Sequence, residues 1–465
     1  SLKSKGKGAI ILPHGVLFRG NKEADIRRNL IQRGLIKGII GLPANLFYGT
    51  GIPACIVVID KEHAHARTGV FMIDASKGFL KDGNKNRLRS QDIHKIVDVF
   101  TRQTELPRYS RMVPVAEIAS PANDYNLNLP RYIDASEPED LHDLDAHLNG
   151  GIPVRDIDAL EAWWRVFPTL RKALFQDNGR EGYREPRVPA HELKAIVTGH
   201  PEFKAFAERA AGLFESWRAA HAPELKGIEI NDRPRELIHT LSEDLLVRFA
   251  DLPLVSRYDV YQRLMDYWAE TMQDDVYLIA ADGWLDAVKP RGIVEDKARR
   301  IKETPDLSIG RKKYKMDLVP PALVVARFFA QEQAALEALQ AKQEAAAQAL
   351  EEFVEEHVGE EGLLAEAMND KGKVTKNGVR DRLRAIDGET ESDEERDALE
   401  RCLALIDAES DASKAMKEAQ AALDEKVLAR YATLTEAEIK TLVVEDKWLA
   451  SLRAAIDGDV QRVTQ

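Results

Sequence analysis

Ala54-Cys55-Ile56-Val57-Val58-Ile59-Asp60 is the stretch whose reading decides the fold. An apolar run this short, closed by an acid, is a strand covered on both faces rather than a helix. Upstream, residues 36–42 form a second apolar run, weakened by Gly38 and Gly41, and Ala9-Ile10-Ile11-Leu12-Pro13 forms another of the same buried kind. Between these, residues 23–33 put Ile26, Leu30 and Ile31 on one helical face, with Gly34 as the stop. Downstream, a polar link leads to Val70-Phe71-Met72-Ile73-Asp74. A parallel crossover needs a dozen residues or more, so the short link predicts that 54–60 and 70–74 pair as an antiparallel hairpin. Residues 1–134 are therefore expected to be α/β, the second half of a doubly wound sheet ending in that hairpin.

Beyond residue 134 the pattern becomes mainly helical. Leu160, Trp163, Trp164, Phe167 and Leu170 follow helical spacing, as do Tyr258, Tyr261, Leu264, Met265 and Trp268, a stripe best read as helix core. Residues 135–320 are expected to be a helical extension. Residues 321–465 are expected to be a long helical hairpin plus a C-terminal helix. Leu336, Leu339, Gln343, Ala346, Leu350 and Phe353 make an interrupted seam on the first long helix. Ser392-x-x-Glu395 reads as the capping box of the second, with Leu399, Cys402, Ile406, Met416, Leu423 and Val427 inward, and Thr435-x-x-Glu438 caps the last helix.

Composition bounds the function. With 465 residues, 44% hydrophobic and 31% charged, the chain can bury a core, and wholesale disorder is excluded. A net charge of −12 excludes a wholly electrostatic nucleic-acid coat. Two cysteines far apart exclude a disulfide framework and point to a reducing cytoplasm. No apolar run is long enough for a membrane span. The opening Ser1-Leu2-Lys3-Ser4 enters a strand almost at once, as in a chain cut inside a domain.

No Gly-x-Gly-x-x-Gly and no phosphate loop of the Gly-Lys-Ser/Thr type occurs. Gly49-Thr50-Gly51 precedes a strand, so it is a turn and not an anion cradle. His63 and His65, two apart in a turn, read as solvent-facing, so no metal site is expected. Against the acidic background, residues 289–315 are rich in Lys and Arg, including Lys297, Arg299, Arg300, Arg311, Lys312 and Lys313. Such a patch either contacts nucleic-acid phosphates or is a solvated face. Phe47 and Tyr48 lie on the loop before the best strand, where α/β proteins place ligand contacts. An aromatic there either stacks a flat ligand such as a base or, in the case of Phe47, packs beneath the loop.

Two strings carry a family resemblance. Gly8-Ala9-Ile10-Ile11-Leu12-Pro13-His14-Gly15-Val16-Leu17-Phe18-Arg19-Gly20 and Gly41-Leu42-Pro43-Ala44-Asn45-Leu46-Phe47-Tyr48-Gly49-Thr50-Gly51-Ile52-Pro53 resemble the methylation subunit of type I restriction–modification enzymes. Asn123-Asp124-Tyr125-Asn126-Leu127-Asn128-Leu129-Pro130-Arg131-Tyr132, residues 147–153 and the Asp317-Leu318-Val319-Pro320-Pro321 helix entry are further matches. The resemblance implies a methyltransferase-type sheet and adenine-N6 methylation of DNA with S-adenosylmethionine, on a base turned out of the duplex. It implies that Phe47 or Tyr48 stacks that base, with Pro13 and Phe18 shaping the other end of the pocket. The family's Asn-Pro-Pro-aromatic string and glycine-rich cofactor loop are absent from this sequence. The chain is therefore expected to represent the C-terminal part of such a subunit, to hold no catalytic residue, and to be inactive alone. The implied partners are DNA, a specificity subunit and a restriction subunit. Two alternatives are a non-catalytic helical adaptor and a nucleic-acid-binding scaffold using residues 289–315.

Overall fold

A computed structural model describes residues 2–136, 142–296, 301–359, 362–369, 372–387 and 393–464. The α/β segment is a mixed sheet of β1 (Lys7–Pro13), β2 (Ile36–Gly41), β3 (Ala54–Asp60), β4 (Gly69–Asp74) and β7 (Ser110–Pro114), in the order β1-β3-β2-β4-β7. A small hairpin, β5 (Leu80–Asp82) and β6 (Lys85–Arg87), stands outside it. Helix α1 (Asn21–Gln32) covers one face and α2 (Ser90–Arg102) the other. Ile31, Ile39, Cys55, Val57 and Met72 fill the α1 side, and Ile40, Ala54, Phe71, Ile73, Ile96 and Val99 fill the α2 side. Burial pushes the Cys55 thiol up to about 11, so it is a core residue and not a nucleophile.

The α/β class followed by long helices is as the sequence predicts, but one strand pairing is not. Residues 54–60 and 70–74 run in opposite directions without touching as partners. β3 is already paired on both edges, antiparallel to β1 and to β2, so β4 crosses to the free edge of β2 and pairs with it in parallel. β1 in turn is an edge strand, and Ile10 and Ile11 are 45% and 55% exposed rather than buried on both faces. The glycines that weaken the 36–42 run make room for the layers above and below. A Cβ on Gly38 would lie 2.6 Å from the Phe100 ring and 2.5 Å from the Phe71 carbonyl oxygen, and one on Gly41 would lie 2.4 Å from Leu129.

Helix α1 is rotated from its expected face. Leu30 and Ile31 point inward, Ile26 is exposed, and Arg27 is buried instead. Its guanidinium donates to the carbonyls of Val16 (2.9 Å) and Tyr125 (3.3 Å), which satisfies the buried charge. The helix ends as predicted at Gly34, whose φ of +62° closes a cap in which Leu35 N–H donates to the Leu30 carbonyl at 2.9 Å.

The described chain divides into two compact units. The first comprises Ser1–His221, Arg235–Thr271 and Leu452–Gln465. Here α3 (Pro201–Lys226), α4 (Pro234–Arg248) and α5 (Arg257–Tyr267) carry the helical part, α3 and α4 only as far as the unit's limits. Tyr258, Tyr261, Leu264 and Trp268 are buried as expected of a core stripe. The 160–170 pattern is only half realised: Phe167 and Leu170 are buried, but Leu160 and Trp163 are exposed. Pro168 follows the short helix Glu161–Val166, and without a continuous helix one face cannot hold all five residues.

The second unit comprises Ala222–Pro234 and Met272–Ser451. Its strands β8 (Leu307–Ile309) and β9 (Lys312–Lys315) form a hairpin, and its long helices are α6 (Ala330–His357) and α7 (Asp393–Tyr431). The helices pack antiparallel, with Glu332 paired to Lys426 at one end and Gln343 facing Glu409 further along. The interrupted seam of α6 thus faces α7 of the same chain and not a partner. Leu399, Cys402, Leu423 and Val427 are buried on α7, as predicted. Ser392 lies outside the described residues, and Glu395 pairs with Arg382 at 2.6 Å. Thr435 and Glu438 do form the reciprocal cap expected of them.

Candidate functional site

β1, β2 and β4 run parallel to one another, so Pro13, Gly41 and Asp74 all end at one edge of the sheet. Open α/β sheets place ligands at this carboxyl edge. The 43–53 loop springs from it and is fastened from the side by the β5–β6 hairpin. The Lys85 ammonium donates to the Phe47 carbonyl (2.9 Å) and the Thr50 carbonyl (3.3 Å). The Asn86 side chain donates to the Ala44 carbonyl (2.7 Å), and its backbone N–H donates to the Asn45 carbonyl (3.0 Å). Asn45 itself sits at φ +56°, which the short polar side chain tolerates.

This anchoring presents the two aromatic rings in different ways. Tyr48 is 96% exposed and Phe47 36%. Both border an open groove of about 510 Å³, whose lining includes the apolar Ile11, Leu46, Leu88 and Ile93 and the polar Asp82, Lys85, Asn86 and Arg87. Packing beneath the loop therefore describes Leu46, which joins the core on the α2 side, and not Tyr48. Pro13 and Phe18 do not line this groove. They stand with His14 at the end of β1, where the Phe18 and His14 rings meet edge-to-face at 6.3 Å. The structure thus brings Phe47 and Tyr48 together but leaves Pro13 and Phe18 in a separate cluster. In that cluster His14 Nε2 is buried with no hydrogen-bond partner among the described residues. Burial lowers the His14 pKa, and the nearby Asp74 opposes that shift.

The Asn123–Tyr132 string proves to be a structural belt. Leu127 and Leu129 are buried on the α1 side, and Leu127 N–H donates to the Leu17 carbonyl at 2.8 Å. Lys85 and Asn86 were invisible as loop anchors in the sequence. The one available signal was Asp82-Gly83-Asn84-Lys85, a glycine turn between polar residues, with Gly83 at φ +59°. Gly49 and Gly51 lead into β3, so no helix N-terminus stands behind them and they do not suit a nucleotide cofactor.

Of the basic stretch, Lys297, Arg299 and Arg300 lie outside the described residues. Arg291 is held by Glu303 (2.8 Å) and Asp317 (2.6 Å), Lys315 by Asp306 (2.7 Å), and Lys289 by Asp286. Arg311, Lys312 and Lys313 differ: they are exposed at the tip and on the second strand of the β8–β9 hairpin, and no ion pair engages them among the described residues. His63 and His65 are exposed, and among the described residues no three His, Cys, Asp or Glu side chains cluster as metal ligands. No described helix is long and apolar enough to cross a membrane.

Comparison with known proteins gives the site a context. The family model for N-6 DNA Methylase matches residues 1–141. The MjaVII methylase subunit of a type I restriction enzyme from Methanocaldococcus jannaschii is 38% identical over 143 residues, covering 30% of this chain and 24% of that protein. The MpnII methylase subunit from Mycoplasma pneumoniae is 33% identical over 141 residues, covering 30% of this chain and 25% of its own length. A crystal structure of a type I restriction–modification methyltransferase subunit from Streptococcus thermophilus is 42% identical over 28% of this chain and 27% of that one, with a TM-score of 0.26. The chain spans about a quarter of the length of the curated relatives it matches. The α/β segment that carries the aromatic loop, residues 1–141, is thus a match to the N-6 DNA Methylase family.

Proposed function

We propose that this chain is part of a type I restriction–modification methylation subunit, which methylates adenine N6 in DNA with S-adenosylmethionine. Tyr48 is the observation that carries this reading. A large aromatic left 96% exposed, on a loop fastened through four carbonyls, contributes nothing to the core. Its energetic sense lies in covering a flat ligand, and a base turned out of a duplex is such a ligand. Phe47 or Tyr48 is assigned to stack the base, and the neighbouring groove to receive its edge. Pro13 and Phe18 are assigned to the far end of the same carboxyl edge.

Cofactor binding and activation of the exocyclic amine are assigned to residues other than these 465, which hold neither a Gly-x-Gly-x-x-Gly nor an Asn-Pro-Pro-aromatic string. Arg311, Lys312 and Lys313, exposed and without ion pairs among the described residues, are assigned to phosphate contacts with DNA, and Lys297, Arg299 and Arg300 extend that assignment by sequence. A specificity subunit and a restriction subunit are the proposed protein partners, in the cytoplasm.

The test is methyl transfer from labelled S-adenosylmethionine to unmethylated duplex DNA by this chain alone. The expected result is none. Transfer by the isolated chain would overturn the assignment of catalysis to other residues.

A further inference from the structure

A second cavity, of about 390 Å³, opens beside the C-terminal end of β4, between the first turns of α2 and the start of α5. Its charges are unevenly paired. Asp92 is taken by Arg89, whose Nε and Nη2 reach the two carboxylate oxygens at 2.9 and 3.0 Å. Asp259 accepts from the Gln91 amide at 2.9 Å, and Asp74 accepts from the Ser76 backbone N–H at 3.0 Å.

Lys95 has no such partner. Its ammonium sits 4.1 Å from the centre of the Tyr109 ring and 6.0 Å from that of Tyr258, and makes no hydrogen bond or ion pair among the described residues. Burial lowers its pKa, with Asp259 and Asp92 opposing at longer range. Ring faces attract the ammonium but do not accept its three protons as oxygen atoms would. A half-buried ammonium lined up on a cavity without an acceptor is a charge waiting for an anion. At the mouth stands Arg108, exposed, at φ +60°, and without an ion pair among the described residues. Arg108 acts on Asp134, but that carboxyl is held down chiefly by Ser136 and only in part by Arg108 and Lys77.

We propose that this cavity binds a phosphate group, with Lys95 as the interior cation and Arg108 closing over it from the rim. A phosphate offers oxygens in several directions and can meet both cations at once. The volume is that of a small-ligand site. The phosphate belongs either to a free nucleotide or to a polynucleotide backbone. Neither Phe47 nor Tyr48 lines this cavity, so the inference stands apart from the base-stacking assignment.

The experiment uses the intact chain with reductively ¹³C-methylated lysines, the Lys95 resonance being assigned with Lys95→Met. Inorganic phosphate, adenosine 5′-monophosphate, adenosine and a short oligothymidylate are titrated at constant ionic strength. Phosphate is expected to shift the Lys95 signal saturably and to raise its titration midpoint, while adenosine alone leaves it unmoved. Arg108→Gln, an exposed change that leaves melting unaltered, is expected to weaken phosphate binding about tenfold, as removal of one charge-assisted hydrogen bond would. Tighter binding of the monophosphate than of the oligonucleotide assigns the site to a nucleotide, and the reverse assigns it to a nucleic-acid backbone. A Lys95 signal that no phosphate compound moves, or that chloride moves equally, overturns the proposal. So does phosphate binding that Arg108→Gln leaves unchanged.

Discussion

Single residues decide this fold most sharply where space runs out. A methyl group on Gly38 would meet a backbone oxygen that cannot swing aside, together with the Phe100 ring. Gly38→Ala is therefore expected to destabilise the chain by about 1–3 kcal/mol, as overpacked cores do, measured by denaturant unfolding. Glu303 is a surface counterpart. Hydrogen bonds from Arg291 hold its carboxyl down at about 2, against 4.5 for the free group. Because the folded pKa is depressed, this contribution is complete above pH 4.5 and is lost as the pH falls toward 2. The melting-temperature gap between the wild type and Glu303→Gln should thus be full at pH 7 and narrow steadily below pH 4.5. A gap of constant size from pH 7 to pH 3 would contradict the pairing.

At the scale of elements, strands and helices were legible from the apolar runs, but partner choice was not. Chain direction in 54–60 and 70–74 followed from the short link. Which edge each strand joins depended on β1 already occupying one side of β3, information that no local pattern holds. Arg27 was misplaced for a related reason: its burial rests on carbonyls 11 and 98 residues away in sequence. The aromatic loop was picked out by its composition, whereas its anchors on β5–β6 carry no apolar pattern at all. Those anchors make a prediction. Asn86→Ala should release the 43–53 loop, raising its cleavage rate in limited proteolysis, at a cost near ~1 kcal/mol in global stability. Unchanged cleavage would mean that the loop holds its own shape.

For the whole molecule, the main imbalance is between an acidic chain and one small basic hairpin whose outer cations have no ion pair among the described residues. If Arg311, Lys312 and Lys313 meet DNA, replacing all three with Gln should reduce the slope of log affinity against log salt by about 2–3, roughly 0.9 for each phosphate no longer neutralised. An unchanged slope would return the hairpin to a solvated face. The loop at the carboxyl edge of the sheet is the centre of the proposed function, and base stacking tests it most directly. An oligonucleotide containing 2-aminopurine should lose fluorescence when the wild-type chain binds it, as the base stacks on Phe47 or Tyr48. The double change Phe47→Ala and Tyr48→Ala should abolish that quenching and weaken binding about tenfold or more, in line with one stacked base. Equal quenching by the wild type and the double variant would contradict the account and leave the exposed rings without a role in holding a base.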